Sequence, residues 1–185
     1  MKRYIVLDLE ATCWKERQGK PANEIIEIGA LMVNEEGEIL SEFCRFVKPL
    51  KSPILSDFCK ELTSITQSQV DGAVHFPEVL NEFQEWIGIG VHEYVLCSWG
   101  FYDANQFRMD CRLWNLDLKW IEPHISIKHQ YTGVKGLSRN MGMKRALALE
   151  NIPLDGTHHR GIDDARNIAK IFVRYLEEWR FPKDE

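Results

Sequence analysis

Apolar and polar positions alternate with two distinct periods along the chain. Residues Tyr4–Glu10 form an apolar run broken only by Asp8 and Glu10, spaced two apart. In an extended strand these acids share a face, with Ile5, Leu7 and Leu9 on the opposite one. A polar, glycine- and proline-containing stretch, Lys15 to Asn23, predicts an exposed loop. Glu24–Val33 predicts a second strand, Glu35-Glu36-Gly37 a hairpin turn, and Ile39–Val47 a third strand. Ser56 is placed to cap a short helix through Leu62, and Thr66 with Gln69 fits a capping box. Pro77 suits the first turn of a helix carrying Val79, Leu80, Phe83, Trp86 and Ile87. Tyr94–Trp99 reads as a fourth strand, Asp103–Leu116 as a helix and Ile125–Ile127 as a short fifth strand. Two short helices are expected around Val134–Met141 and Lys144–Glu150, and a longer one from Ile162 to Trp179. Three strands followed by helices alternating with two more predict an α/β sheet, antiparallel at one edge and covered by helices.

At 185 residues, without a linker-like tract, the chain is expected to form one domain over 1–185. A hydrophobic content of 44% beside 28% charged residues is that of an ordinary globular protein. Its apolar runs are too short to cross a bilayer, so no membrane partner is expected. Five scattered cysteines form no closely spaced pair, which favours reduced thiols and a cytoplasmic location. A net charge of −5 disfavours tight, sequence-independent binding of long duplex nucleic acid. It permits a local site where cations reverse the sign of clustered acids.

Two acids side by side in so apolar a strand repel each other and pay desolvation unless a positive charge lies between them. A shared divalent metal would supply that charge, given further carboxylates. Glu27, alone among aliphatics, reads as a strand-edge acid or a helper at the acidic site. Asp103 follows the fourth strand, where a helix-capping acid is the plain role and ligand-binding groups of α/β sheets also collect. In the last helix Asp164 shares a face with Ile168, Ile171 and Tyr175, whereas Asp163 shares one with Arg166, Asn167, Lys170 and Arg174. Asp164 is therefore the core-facing acid, and it needs a partner. His158 and His159 precede that helix between Gly156 and Gly161. Geometry does not choose between them, but imidazole titrates in the right range to take a proton from water.

Asp8-Leu9-Glu10-Ala11-Thr12, then Asp103, then His159 with Asp164 five residues later, resemble the three motifs of the DEDDh 3′–5′ exonucleases. Leu55-Ser56-Asp57-Phe58-Cys59, Leu62–Asp71 and Gly161–Ala169 extend the resemblance to the branch of the 3′ histone-mRNA exonucleases and their bacterial relatives. The chain departs from that pattern in the Lys15–Pro21 loop and in Gly100-Phe101-Tyr102. The resemblance implies a ribonuclease-H-like fold, a mixed five-stranded sheet with helices on both faces. It also implies two Mg²⁺ or Mn²⁺ ions held by Asp8, Glu10, Asp103 and Asp164, with Asp8 bridging them and His159 as general base. The implied substrate is the 3′ end of single-stranded nucleic acid, RNA favoured, with nucleoside 5′-monophosphates released. A DNA-directed exonuclease of the same chemistry and a non-catalytic nucleic-acid-binding domain are the alternatives. Near the terminal nucleotide the resemblance places Ala11 and Thr12 at the ribose and Phe58 on the base, although Phe58 is equally a candidate core aromatic. Tyr102 could line the same pocket, core packing being the default for such a residue. Lys15, Arg17 and Lys20 could steer phosphates or form an ordinary solvated loop.

Overall fold

In the computed structural model, residues 2–16 and 18–182 are described; Arg17 of the basic loop and the ends of the expected domain fall outside them. Three strands, β1 (Arg3–Ala11), β2 (Ile25–Val33) and β3 (Ile39–Phe46), form an antiparallel meander. β4 (Tyr94–Ser98) and β5 (His124–Ser126) then add in parallel on the other side of β1, giving the order β3-β2-β1-β4-β5. This is the mixed five-stranded sheet expected from the sequence.

β1 is the middle strand and is covered on both faces. Ile5, Leu7 and Leu9 pack with Val79, Leu80 and Phe83 of α3 (Phe76–Ile87) and with Phe107 and Cys111 of α4 (Tyr102–Leu113). Tyr4 and Val6 face Tyr131 of α5 (Ile127–Val134), Ala146 and Leu147 of α6 (Met143–Leu149), and Ile168, Ile171 and Phe172 of α7 (Gly161–Arg174). Asp8 and Glu10 therefore continue a buried face, not a wet one. The two short helices α1 (Asp57–Thr63) and α2 (Gln67–Asp71) close a smaller cluster over Ile26. Their caps are those the sequence predicts: the Ser56 hydroxyl accepts from Cys59 N–H, and Thr66 with Gln69 forms a reciprocal capping box.

Two expected helices differ. No helix spans 134–141; α5 starts at Ile127, directly after β5, and the chain turns out of it through Gly136, whose φ is +61°. The last helix ends at Arg174, and a single 3-10 turn (Leu176–Glu178) carries the chain to Trp179. That indole is buried and donates to the Phe172 carbonyl at 2.8 Å, so the hydrophobic periodicity outlasts the helix. Among the described residues, no helix is long and apolar enough to cross a membrane.

Candidate active site

The acids converge because of how three backbone segments meet. Along β1 and β2, Asp8 lies opposite Gly29 and Glu10 opposite Glu27. At Gly29 the first residues of α7 press onto the sheet: a Cβ there would stand 2.1 Å from Ile162 N and 2.2 Å from the Gly161 carbonyl carbon. Gly161 is as constrained on its side, since a Cβ would meet the Asp8 carbonyl oxygen at 3.1 Å. Two missing side chains thus bring the first turn of α7, and with it Asp164, against Asp8.

Glu27 locks this contact. It lies in the sheet interior, fully buried, and not at a strand edge. Its carboxylate accepts from Gly161 N–H at 2.9 Å and from Arg160 Nε and a terminal guanidinium nitrogen at 3.1 Å each. Like charges directly opposite across a sheet repel. Arg160 neutralises Glu27, which leaves Glu10 as the uncompensated member of that pair.

Asp103 arrives from the other side of β1. The β1–β4 ladder ends at the Leu7–Ser98 pair, and the next inward donor, Leu9 N–H, is taken by Asp103 Oδ1 at 3.1 Å. Asp103 does lie in the first turn of α4, but it serves the end of the sheet, with Phe101 as the N-cap residue.

Asp8, Glu10 and Asp164 each offer an oxygen, and these oxygens lie within 4.8 Å of one another. Asp103 exerts the strongest charge effect on Asp8. Burial first, and then the charges of Asp103, Glu10, Asp164 and Glu27, push the Asp8 carboxyl well above the ordinary range. Glu10 is pushed up to about 8, by burial and then by Asp164, Glu27 and Asp103. Asp103 is pushed up to about 6 by burial, against the hydrogen bond from Leu9 N–H and the charge of Lys128. Four crowded carboxylates that offer only oxygen donors fit hard divalent cations such as Mg²⁺ or Mn²⁺.

The histidine loop arches over Asp164. The Asp164 carboxylate accepts from His159 N–H at 2.9 Å, and His158 Nδ1 lies 3.0 Å from both of its oxygens. A carboxylate offers only lone pairs, so Nδ1 of His158 carries the proton. Among the described residues, the His159 ring receives no hydrogen bond; it stacks on His158 with centroids 4.0 Å apart. Burial and the neighbouring His158 hold its pKa below the usual 6.5. Asp163 turns away, accepting from Thr157 N–H and pairing with Arg166.

Asp8, Glu10, Trp99, Tyr102, Asp103 and Asp164 line a cleft of roughly 410 Å³, closed on another side by both histidines and by Gly142–Arg145 at the start of α6. Tyr102 stands 52% exposed on this wall and is not a core residue. Ala11 and Thr12 continue β1 beyond the cleft as buried residues; the Thr12 hydroxyl accepts from Glu24 N–H at 2.9 Å. Phe58 is 36% exposed, so the core alternative for its ring falls away. Its helix is tied to the end of β1 by Ser56, whose hydroxyl donates to the Cys13 carbonyl at 2.6 Å, and by the Cys59 thiol at the Ala11 carbonyl.

Sequence reasoning did not foresee Trp99, Lys144 and Arg145 as cleft residues, or the buried anchors Glu24 and Asp110. Glu24 accepts from the amides of Leu50, Lys51 and Ser52, and Asp110 from Ile25 N–H, so both fasten loops at the sheet end. An acid at the start of a predicted strand and another midway along an apolar helix face were the available signals.

The family profile described as an exonuclease, RNase_T, matches residues 5–172. The chain is 35% identical over 199 residues to ERI1 exoribonuclease 2 of Xenopus laevis, covering 93% of this chain and 28% of that one. It is 34% identical over 186 residues to 3′-5′ exoribonuclease 1 of Homo sapiens, covering 94% and 52%. The chain therefore spans between about a quarter and a half of the length of these relatives. The nuclease domain of 3′hExo, a DEDDh family member solved bound to rAMP, superposes with a TM-score of 0.91 at 32% identity, covering 99% of this chain and 97% of that one.

Proposed function

This chain belongs to the RNase_T exonuclease family, and from that premise we propose that it is a metal-dependent 3′–5′ exonuclease acting on single-stranded 3′ ends, RNA favoured, and releasing nucleoside 5′-monophosphates. The observation that carries the proposal is the meeting of Asp8, Glu10 and Asp164 within 4.8 Å, with Asp103 beside them and an unbonded imidazole, His159, above. The RNA preference rests on the relatives named as exoribonucleases and on the rAMP complex.

Asp8, Glu10, Asp103 and Asp164 would hold two Mg²⁺ or Mn²⁺ ions. Such ions, when bound, supply activation of the attacking water and charge stabilisation at the scissile phosphate and the departing 3′ oxygen. Asp8, at the centre of the acids, is assigned the bridging place. His159, neutral and with no competing hydrogen bond on its ring, takes the proton of the attacking water. Tyr102 and Trp99 wall the terminal nucleotide, and Lys144 and Arg145 face the phosphates. Phe58 is assigned to the terminal base, and Ala11 and Thr12, through their backbone, to its ribose. Five reduced cysteines fit a cytoplasmic protein.

The test is a set of 5′-labelled RNA and DNA oligomers of one sequence, with free or blocked 3′ ends, in Mg²⁺, Mn²⁺ or EDTA. Free-ended RNA is expected to shorten stepwise with metal only. His159→Ala is expected to lower the rate about 10²–10⁴-fold, the span of a lost general base. No shortening of any free end would overturn the proposal, and equal rates on DNA would remove the RNA preference.

A further inference from the structure

The proposed hydrolysis uses one imidazole, yet two stand over Asp164. They occupy adjacent positions, and neighbouring side chains in a loop ordinarily diverge. Here the backbone of His159 takes φ +64°, a left-handed conformation that non-glycine residues rarely adopt. That turn stacks the two rings at 4.0 Å and 26° and leaves both facing the buried Asp164 carboxylate. Ligand atoms of His158, His159 and Asp164 all come within 4.8 Å of one another.

This set differs in chemistry from the all-oxygen set of Asp8, Glu10 and Asp164. Two imidazole nitrogens and one carboxylate oxygen, open to solvent on the fourth side, are a donor set for a tetrahedral, borderline-soft cation. Mg²⁺ prefers oxygen ligands and octahedral geometry, and gains little from it. Asp164 belongs to both sets.

We propose that His158, His159 and Asp164 form a second, zinc-selective site whose occupation switches the enzyme off, by drawing Asp164 away from the acidic cluster and engaging the ring of His159. The inhibitory consequence rests on the function proposed above; the binding does not. For zinc to bind through Nδ1 of His158, the proton now shared with Asp164 moves to Nε2 of the same ring, so binding carries a change of tautomer. The half-exposed His158 side chain allows entry from solvent.

The test uses EDTA-treated full-length protein titrated with Zn²⁺ alone against a chromophoric chelator, without nucleic acid. One Zn²⁺ is expected to bind at least about 100-fold more tightly than Mn²⁺. His158→Gln and His159→Gln are each expected to weaken zinc at least tenfold while circular dichroism stays unchanged. Cys13→Ser is expected to leave zinc affinity as it is, which separates this site from the thiols. Nitrogen chemical shifts of His158 should report the tautomer change in the wild type. In Mn²⁺-driven turnover, the zinc concentration for half inhibition should rise at least tenfold in His158→Gln relative to wild type, whatever its own uninhibited rate. Zinc affinity indifferent to both histidine changes, or abolished by Cys13→Ser, overturns the site. Tight zinc binding by a chain that cleaves no nucleic acid would keep the site and overturn the exonuclease reading instead. Cleavage by a chain with unchanged zinc affinity in both variants would do the reverse.

Discussion

At the scale of single residues, burial and mutual repulsion raise the proton affinity of the clustered acids. Glu10 has its carboxyl raised from 4.5 to about 8, and Asp103 from 3.8 to about 6. An acid whose folded-state value exceeds its unfolded one binds more protons when folded, so it favours the fold at low pH and loses that contribution as pH rises. The metal-free protein should therefore lose thermal stability between pH 4.5 and 8, the window set by Glu10. Mg²⁺ or Mn²⁺, which binds the deprotonated form, should restore it and release protons at pH 7. Melting curves across that range, with and without metal, check the sign; Glu10→Gln should flatten the metal-free slope. The choice of Asp164 over Asp163 was legible from helical periodicity alone, because one faces Asp8 while the other pairs with Arg166. The role of His158 was not, since its bond to Asp164 depends on the left-handed turn at His159, which no local pattern announces.

At the scale of elements, the site depends on the seating of α7. Ala at position 29 would place its Cβ inside the backbone of Gly161 and Ile162, so the helix must lift and take Asp164 with it. Gly29→Ala is expected to cost more than the about 1–3 kcal/mol typical of overpacking, and to abolish turnover even where the protein still folds. Gly133 of α5 has nothing within 4 Å of an added Cβ, so Gly133→Ala should be neutral or stabilising by up to about 1 kcal/mol. Urea unfolding of both variants, together with their rates, separates the two cases. Strand and helix order could be read from the sequence because each element carries its own period. The helix expected over 134–141 failed because α5 begins without a capping side chain, directly after β5, packs on β4, and ends just before a left-handed glycine. The strand-edge alternative for Glu27 failed for a related reason, and the helper alternative stands: its partner Arg160 lies 133 residues away, and sequence neighbours say nothing of it.

At the scale of the whole molecule, a chain of net charge −5 nevertheless sets cations around the acidic cleft. Lys144 and Arg145 line the cleft, and Lys128 acts electrostatically on Asp103. Among the described residues, none of the three is in a salt bridge. Three phosphate contacts on a single strand predict a slope of about −2 for log affinity against log salt, since each contributes roughly −0.7. Nitrocellulose or fluorescence titrations from low to moderate salt measure it; a slope beyond about −4 would place the binding surface outside this cleft. A slope this shallow would suit the proposed hold on one end of a strand, and the relatives are longer than this chain.

The contact of Gly29 with Gly161 also divides the molecule into what can vary and what cannot. Two backbones already touching leave no slack, so α7 and the end of β1 act as one solid piece, and every acid except Asp103 rides on it. Asp103 is fastened to the same piece through Leu9 N–H. Freedom to change is left to the walls, where Tyr102, Lys144 and Arg145 stand in the open and can be exchanged without moving a carboxylate. Under the proposed function, a lineage could therefore alter which strand ends it accepts many times over while the acids stay in place, held by two positions that have no side chain at all.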